Sequence, residues 1–284
     1  MKKIAIASAL ALMAGVASAQ AVVGGTIRYD FVDADNAAST TGIAKSEVTF
    51  RSTEDLGNGI KVTAGVGLNG NGRGETATGT DAFIAVATPM GEVMVGQVEV
   101  ANGLLANSQD LTPVQGSEGI VLGATANYDV AKYTSPAVMG FKASATAVRG
   151  IDTTGDHTYI LGVEGKVGPV VGKVDYTDGT ERVRVSGQAT VMGVTVGAGW
   201  SGNEKVEATG AAVKDSWIVA AAVPVGPVTV GATYADGDGK ATEVAAKYNL
   251  SKRTSVAVAY RDVTENSVAA KNVATTRVRL QHTF

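Results

Sequence analysis

The chain has 284 residues, with 24 Lys and Arg against 27 Asp and Glu, 36 glycines, 6 prolines and no cysteine. A net charge of −3 argues against a nucleic-acid binder, and the missing cysteine excludes a disulfide scaffold and a thiolate metal site. Hydrophobic residues make up 45%, yet past the N-terminal segment the longest apolar run, Trp217 to Gly226, is broken by Pro224, so nothing reaches the ~20 apolar residues of a membrane-spanning helix.

Residues 1–19 read as a secretory signal peptide. Lys2 and Lys3 precede an apolar stretch from Ile4 to Val16 that closes on the small residues Ala17 and Ala19, which predicts cleavage before Gln20. Removing Lys2 and Lys3 leaves 22 basic against 27 acidic residues, net −5. Residues 20–284 then form one unit with no domain boundary and no low-complexity linker.

From Val22 onward the chain repeats a segment of alternating apolar and polar residues followed by a turn, a period of two rather than 3.6. The alternation predicts strands over 22–32, 45–54, 60–70, 81–88, 92–99, 122–133, 140–149 and 157–166, then over 169–178, 181–190, 194–201, 215–224, 227–236, 241–249, 254–263 and 274–284, sixteen in all. Segments 215–224 and 241–249 are weak, and a fourteen-stranded barrel is the rival architecture. Connections alternate in length. Tight ones fall at Leu56 to Gly59, Pro89 to Gly91, Val167 to Pro169, Val191 to Gly193 and Val225 to Pro227, and longer polar ones at 33–44, 71–80, 202–214 and 264–273. Membrane barrels sort their turns this way.

Each strand splits into an apolar and a charged face. Val278, Leu280, His282 and Phe284 oppose Arg277, Arg279, Gln281 and Thr283, and Ile27, Tyr29 and Phe31 oppose Arg28 and Asp30. Alternation alone leaves a soluble β-sandwich open, but sandwich strands average only about 5–6 residues. Ten-residue strands with arginines on one face predict a closed cylinder with a polar lumen. Aromatic residues are few at 5%. Tyr29, Tyr128, Tyr159, Tyr176, Trp200, Tyr234, Tyr248 and Tyr260 are the candidates for an interfacial girdle.

Four strings, TEDLGNGIKV (Thr53 to Val62), YTSPAVMGFKASA (Tyr133 to Ala145), NLSKRTSVAVAY (Asn249 to Tyr260) and RVRLQHTF (Arg277 to Phe284), resemble the Gram-negative general porin family. These are the trimeric sixteen-stranded outer-membrane porins of proteobacteria. The resemblance implies an all-β transmembrane antiparallel β-barrel with a constriction loop folded into its lumen. It also implies a water-filled channel in the cell outer membrane for passive diffusion of ions and small hydrophilic solutes. Its implied partners are outer-membrane lipid, two further copies in a homotrimer, and the barrel-assembly machinery, which reads the terminal Phe284. No cofactor and no enzymatic activity are implied.

The longest connection, between Glu99 and Leu122, follows the fifth strand, where the family's third loop narrows the pore. By that resemblance Glu99, Asp110 and Glu118 are the acidic side of a constriction, and inward parity offers Arg28, Arg51, Lys61, Arg277 and Arg279 as its basic wall. Gln97 stands where relatives commonly carry an arginine, which is expected to weaken that wall, and the latch loop near Asn71 to Thr80 is short. His157 and His282 lack a nucleophile and acid arranged around them. The pairs Asp33 with Asp35 and Asp236 with Asp238 fall short of a calcium ligand set. Inward strand positions read as basic and loops as acidic, two signs that act in opposite directions on permeating ions, and the balance leans slightly toward anions. A structural or adhesive barrel with a plugged lumen is the alternative function.

Overall fold

A computed structural model of the chain describes residues 20–35, 37–70, 78–100, 126–149, 157–202, 214–237, 239–265 and 272–284. Residues 1–19, where a signal peptide is expected, and Asp110, Glu118 and Asp238 lie outside them. The strands are β1 (Gln20–Ala34), β2 (Thr40–Gly57), β3 (Ile60–Asn69), β4 (Thr78–Thr88), β5 (Gly91–Val100), β6 (Ala126–Thr134), β7 (Phe141–Arg149) and β8 (His157–Val167). They continue as β9 (Val170–Thr177), β10 (Arg182–Val191), β11 (Val194–Gly202), β12 (Ser216–Val225), β13 (Val228–Asp236), β14 (Gly239–Asn249), β15 (Thr254–Glu265) and β16 (Asn272–Thr283).

Each strand pairs antiparallel with its sequence neighbours, and β1 pairs with β16, so the sheet is a closed barrel of sixteen strands. Closure leaves no exposed edge. The fourteen-strand alternative fails because β12 and β14 are each laddered on both sides. Several strands differ from the predicted bounds, β4 starting at Thr78 rather than at 81 and β6 at Ala126 rather than at 122, and the largest difference is at β2. β2 begins at Thr40 rather than at 45, because a bulge opposite Arg28 and Tyr29 takes up an extra residue and lets pairing with β1 continue to Val32↔Thr40.

At one mouth the turns are tight. β10 and β11 are joined by Met192 and Gly193, whose φ angles are 52° and 83°. Positive φ at both central residues is the twist that suits a two-residue hairpin, and Gly193 adopts it without strain. The longer connections lie at the other mouth, although Asp178–Glu181 and the link from β13 to β14 are short there too.

The outward face is apolar and uncovered: Ile27, Phe50, Val66, Ile84, Leu161, Val244 and Leu280 are each 44–55% exposed. A soluble barrel would turn its polar face outward, so this exposure requires an apolar surround. Aromatic side chains bracket the band. Tyr133, Phe141, Tyr248 and Phe284 stand near the tight-turn mouth, and Tyr159, Tyr176, Trp217 and Tyr260 near the loop mouth, all with exposed outward faces. Trp217 and Tyr234 pack with ring centroids 5.1 Å apart. Tyr128 departs from the expected girdle, since its pairing with Val98 puts it on lumen parity.

Inward positions are the packed ones. Small side chains predominate among them, with Ala220, Ala235, Ala241, Ala245, Ala257 and Ala259 buried on β12–β15 beside Ile218. Phe284 closes the ring through backbone bonds with Gly25, 3.0 Å from Gly25 N to its carbonyl oxygen and 3.1 Å from its own N to Gly25 O. A Cβ at Gly25 would overlap the Phe284 ring, so the glycine is that ring's seat.

Candidate functional site

Strand alternation aims one face of every strand into the lumen, and register fixes which residues meet there. Asp30 on β1 lies opposite Arg279 on β16, and Arg28 opposite Gln281. Arg279 grips Asp30 in a fork, Nε donating to Oδ1 at 2.8 Å and Nη2 to Oδ2 at 2.7 Å. Both side chains are only 6% exposed. Arg277 approaches the same carboxylate, its Nε 3.5 Å from Oδ2. One acid therefore holds two guanidinium groups on the lumen wall. Arg28 donates from Nε to Gln281 Oε1 at 2.8 Å, which fixes it beside them.

The other basic residues singled out from the sequence occupy different surroundings. Arg51 on β2 faces the lumen exposed, its guanidinium carbon 5.7 Å from the centroid of the Phe83 ring. Lys61 stands at the tight-turn mouth, 3.9 Å from Asp55, with both side chains nearly 60% exposed. It is therefore well apart from the Asp30 cluster and is solvated. Glu99, at the loop end of β5, has the outward parity of Val93, Val95 and Gln97 rather than the inward parity expected of a constriction acid; it borders a lumen cavity at the strand end, and its backbone N–H donates to Asp81 Oδ1 at 2.8 Å. Gln97 pairs with Ala82 and Asp129 on the outward face shared by Val93 and Val95. The expected weakening of the basic wall at Gln97 does not arise, because that position is not on the lumen.

Register also brings in residues that strand parity alone did not rank. On β9 and β10, half the ring away from β1 and β16, Asp175 accepts Arg184 Nε at 2.7 Å and stands 3.5 Å from Lys173 Nζ. Both Asp175 and Arg184 are about 5% exposed. Near β1, Lys45 and Glu47 pair at 2.7 Å. Glu243 on β14, opposite Arg261 on β15, is 3% exposed.

Taken together, fourteen basic residues of the described strands point inward: Arg28, Lys45, Arg51, Lys61, Lys132, Lys142, Lys166, Lys173, Arg182, Arg184, Lys247, Arg261, Arg277 and Arg279. Eight acids whose side chains are described join them: Asp30, Glu47, Asp55, Asp81, Glu92, Glu164, Asp175 and Glu243. The described wall thus carries an excess of six positive charges, although the residues from Gln20 onward sum to −5. A charged, concave, low-dielectric wall focuses potential on ions inside it.

His282 faces outward with Nδ1 2.9 Å from Thr254 Oγ1, and His157 opens β8 exposed. Among the described residues no group of three or more His, Cys, Asp or Glu is placed to hold a metal ion.

Residues 6–267 match the family model described as Gram-negative porin. No curated protein sequence matches the chain. Among solved structures, the trimer form of OmpT, an outer membrane protein of Vibrio cholerae, superposes with a TM-score of 0.76 at 15% identity, covering 94% of this chain and 100% of that one. A triple mutant of the Rhodopseudomonas blastica porin gives 0.67 at 15% identity, with 93% of this chain and 100% of that one covered. The apolar outer band, the charged lumen and the match across nearly the whole length agree: the chain belongs to the Gram-negative porins and forms a channel in the outer membrane.

Proposed function

We propose that ions and small hydrophilic solutes cross this channel by passive diffusion, past a constriction at which acids of the end of β5 and of the β5–β6 connection face the basic wall. Glu99, Asp110 and Glu118 form the acidic side, and Arg28, Arg51, Arg277 and Arg279 the basic side, with Lys61 at the periplasmic mouth. The observation that carries this reading is the Asp30 bracket. Holding Arg279 in a bidentate fork and Arg277 beside it fixes positive charge on the wall at one level of the lumen. Opposed charges in a narrow passage orient polar solutes and discriminate between ions.

The protein acts as a channel rather than an enzyme in this reading, and it works after cleavage before Gln20. Three copies assemble around a common axis, with the rest of each outward face in contact with lipid. Phe284 serves as the address for the barrel-assembly machinery. Purified, refolded protein in a planar bilayer is expected to give stepwise conductance. Substituting Arg277 or Arg28 by Gln is expected to lower anion permeability relative to cations, and folded protein with no steps refutes the channel reading.

A further inference from the structure

Across the lumen from Asp30, the wall dips. Register sets Ser144, Gly162, Asp175 and Arg184 side by side on β7 to β10, and the centre of that row is a glycine. With no side chain at Gly162, a hollow of about 310 Å³ opens in the wall. Arg184 lines it with a side chain only 6% exposed. Its Nε is used by Asp175, but Nη1 is buried and has no hydrogen-bond partner among the described residues. An unmade bond on a buried charged donor is costly, and native structures rarely leave one without a reason.

A second cation faces the same hollow. Lys132 on β6 lies one row toward the loop mouth, opposite Thr146, and has no ion-pair partner among the described residues. The lysines nearer the periplasm are different, because Lys142 and Lys173 flank Glu164 in register. Glu99, Glu164 and Asp175 also line the hollow, so its four cations exceed its carboxylates by one, and neither Lys132 nor the outer nitrogen of Arg184 is engaged in an ion pair among the described residues. Ser144 and Thr146 supply neutral hydroxyl donors between them.

A guanidinium edge, an ammonium and hydroxyls converging on a side-chain-free hollow match a compact oxyanion, which offers several acceptor oxygens and a charge. We propose that this recess is a binding station for small oxyanions, phosphate or a short carboxylate, on the path through the pore. Asp175 has two effects there. It orients Arg184, and its charge competes with the incoming anion. The station rests on the channel reading and adds to it a saturable step and a substrate class.

The test is single-channel conductance of the full protein in potassium chloride, with inorganic phosphate added in steps. Phosphate is expected to lower the chloride current in a saturable way. Lys132→Gln is expected to raise the half-blocking phosphate concentration about tenfold, the size of one charge-assisted bond. Asp175→Asn, which keeps an acceptor for Arg184 but removes the competing charge, is expected to lower it. Lys247→Gln, a change of lumen charge outside the recess, is expected to shift it less than about twofold, since interactions beyond a Debye length are screened. Chloride steps that phosphate leaves unchanged overturn the station while leaving the channel standing. A Lys247 variant that shifts the block as much as the Lys132 variant also overturns it, by reducing the effect to general lumen charge. Absence of any steps refutes the channel itself.

Discussion

Replacing Asp30 by Asn removes one charge and almost no volume. In the folded barrel Asp30 is 5% exposed, accepts two bonds from Arg279 at 2.8 and 2.7 Å, and lies 3.5 Å from Arg277 Nε. At an effective dielectric near 20, each such pair is worth roughly 4–6 kcal/mol of gross attraction. Most of that is offset by desolvation, but removing one partner leaves the other charge buried and uncompensated, which costs about 3–5 kcal/mol. Asp30→Asn is therefore expected to lower stability by ~3–5 kcal/mol, and Asp55→Asn, opposite exposed Lys61, by less than ~1 kcal/mol. The assay is urea titration of protein folded into lipid vesicles, read by the gel shift between folded and heated forms. Asp30→Asn combined with Arg279→Gln removes both members of the fork and is expected to be less destabilised than the sum of the two single variants. An Asp30→Asn variant within ~1 kcal/mol of the parent, or strict additivity in the double variant, refutes the claim that this carboxylate anchors the wall.

Gly25→Val is expected to displace the Phe284 ring and cost ~1–3 kcal/mol in the same titration, as overpacking does. Phe284→Ala is expected to reduce the barrel recovered from outer membranes more than it reduces refolding into vesicles; equal losses in both refute the addressing role. Gly193→Val, at φ 83°, is expected to cost ~1–3 kcal/mol through backbone strain. With six excess positive charges on the described wall, the reversal potential across a potassium chloride gradient is expected to have the sign of an anion-preferring pore, and a cation-preferring sign refutes the inward charge assignment.

Strand existence was legible in the sequence because each strand crosses an apolar layer and must alternate strictly to do so. Even the weak segments at β12 and β14 kept enough alternation to be placed, although β12 carries no inward charge and β14 interleaves Glu243 and Lys247 with Ala241 and Ala245. Boundaries were less legible. β2 starts five residues before the expected position because its extension depends on a bulge against β1, a pairing that no local pattern in 40–44 reveals. Facing was legible and contact was not. Parity put Arg277 and Arg279 on the lumen side, but it could not show that Asp30, some 250 positions away, holds both. That pairing exists only once the first and last strands close the ring. Lys61 shows the complementary limit: its parity equals that of Arg51, yet its height along the strand leaves it at the solvated mouth.

The opposite signs of the chain and its lumen follow from the same geometry. A barrel strand has an apolar band facing lipid, where a charge costs several kcal/mol near the midplane, so mid-strand charges fall mostly at inward positions, with Asp129 an exception on the outward face. Acids were placed there sparingly, and at two sites each buried acid is shared by two cations: Asp30 by Arg277 and Arg279, and Asp175 by Lys173 and Arg184. Each of these clusters retains a net positive charge while no carboxylate in it is left unpaired, and the two lie half the ring apart. Positive charge held on opposite walls by buried acids cannot be neutralised by a small rotation of side chains, because the acids are already engaged. Surplus carboxylates fall instead at the outer ends of strands, where water solvates Asp33 and Asp178 and the lysines Lys214 and Lys240 pair with Asp236. A chain that is acidic overall thereby presents a basic interior to solutes, and net charge read from composition predicts the wrong sign for the pore.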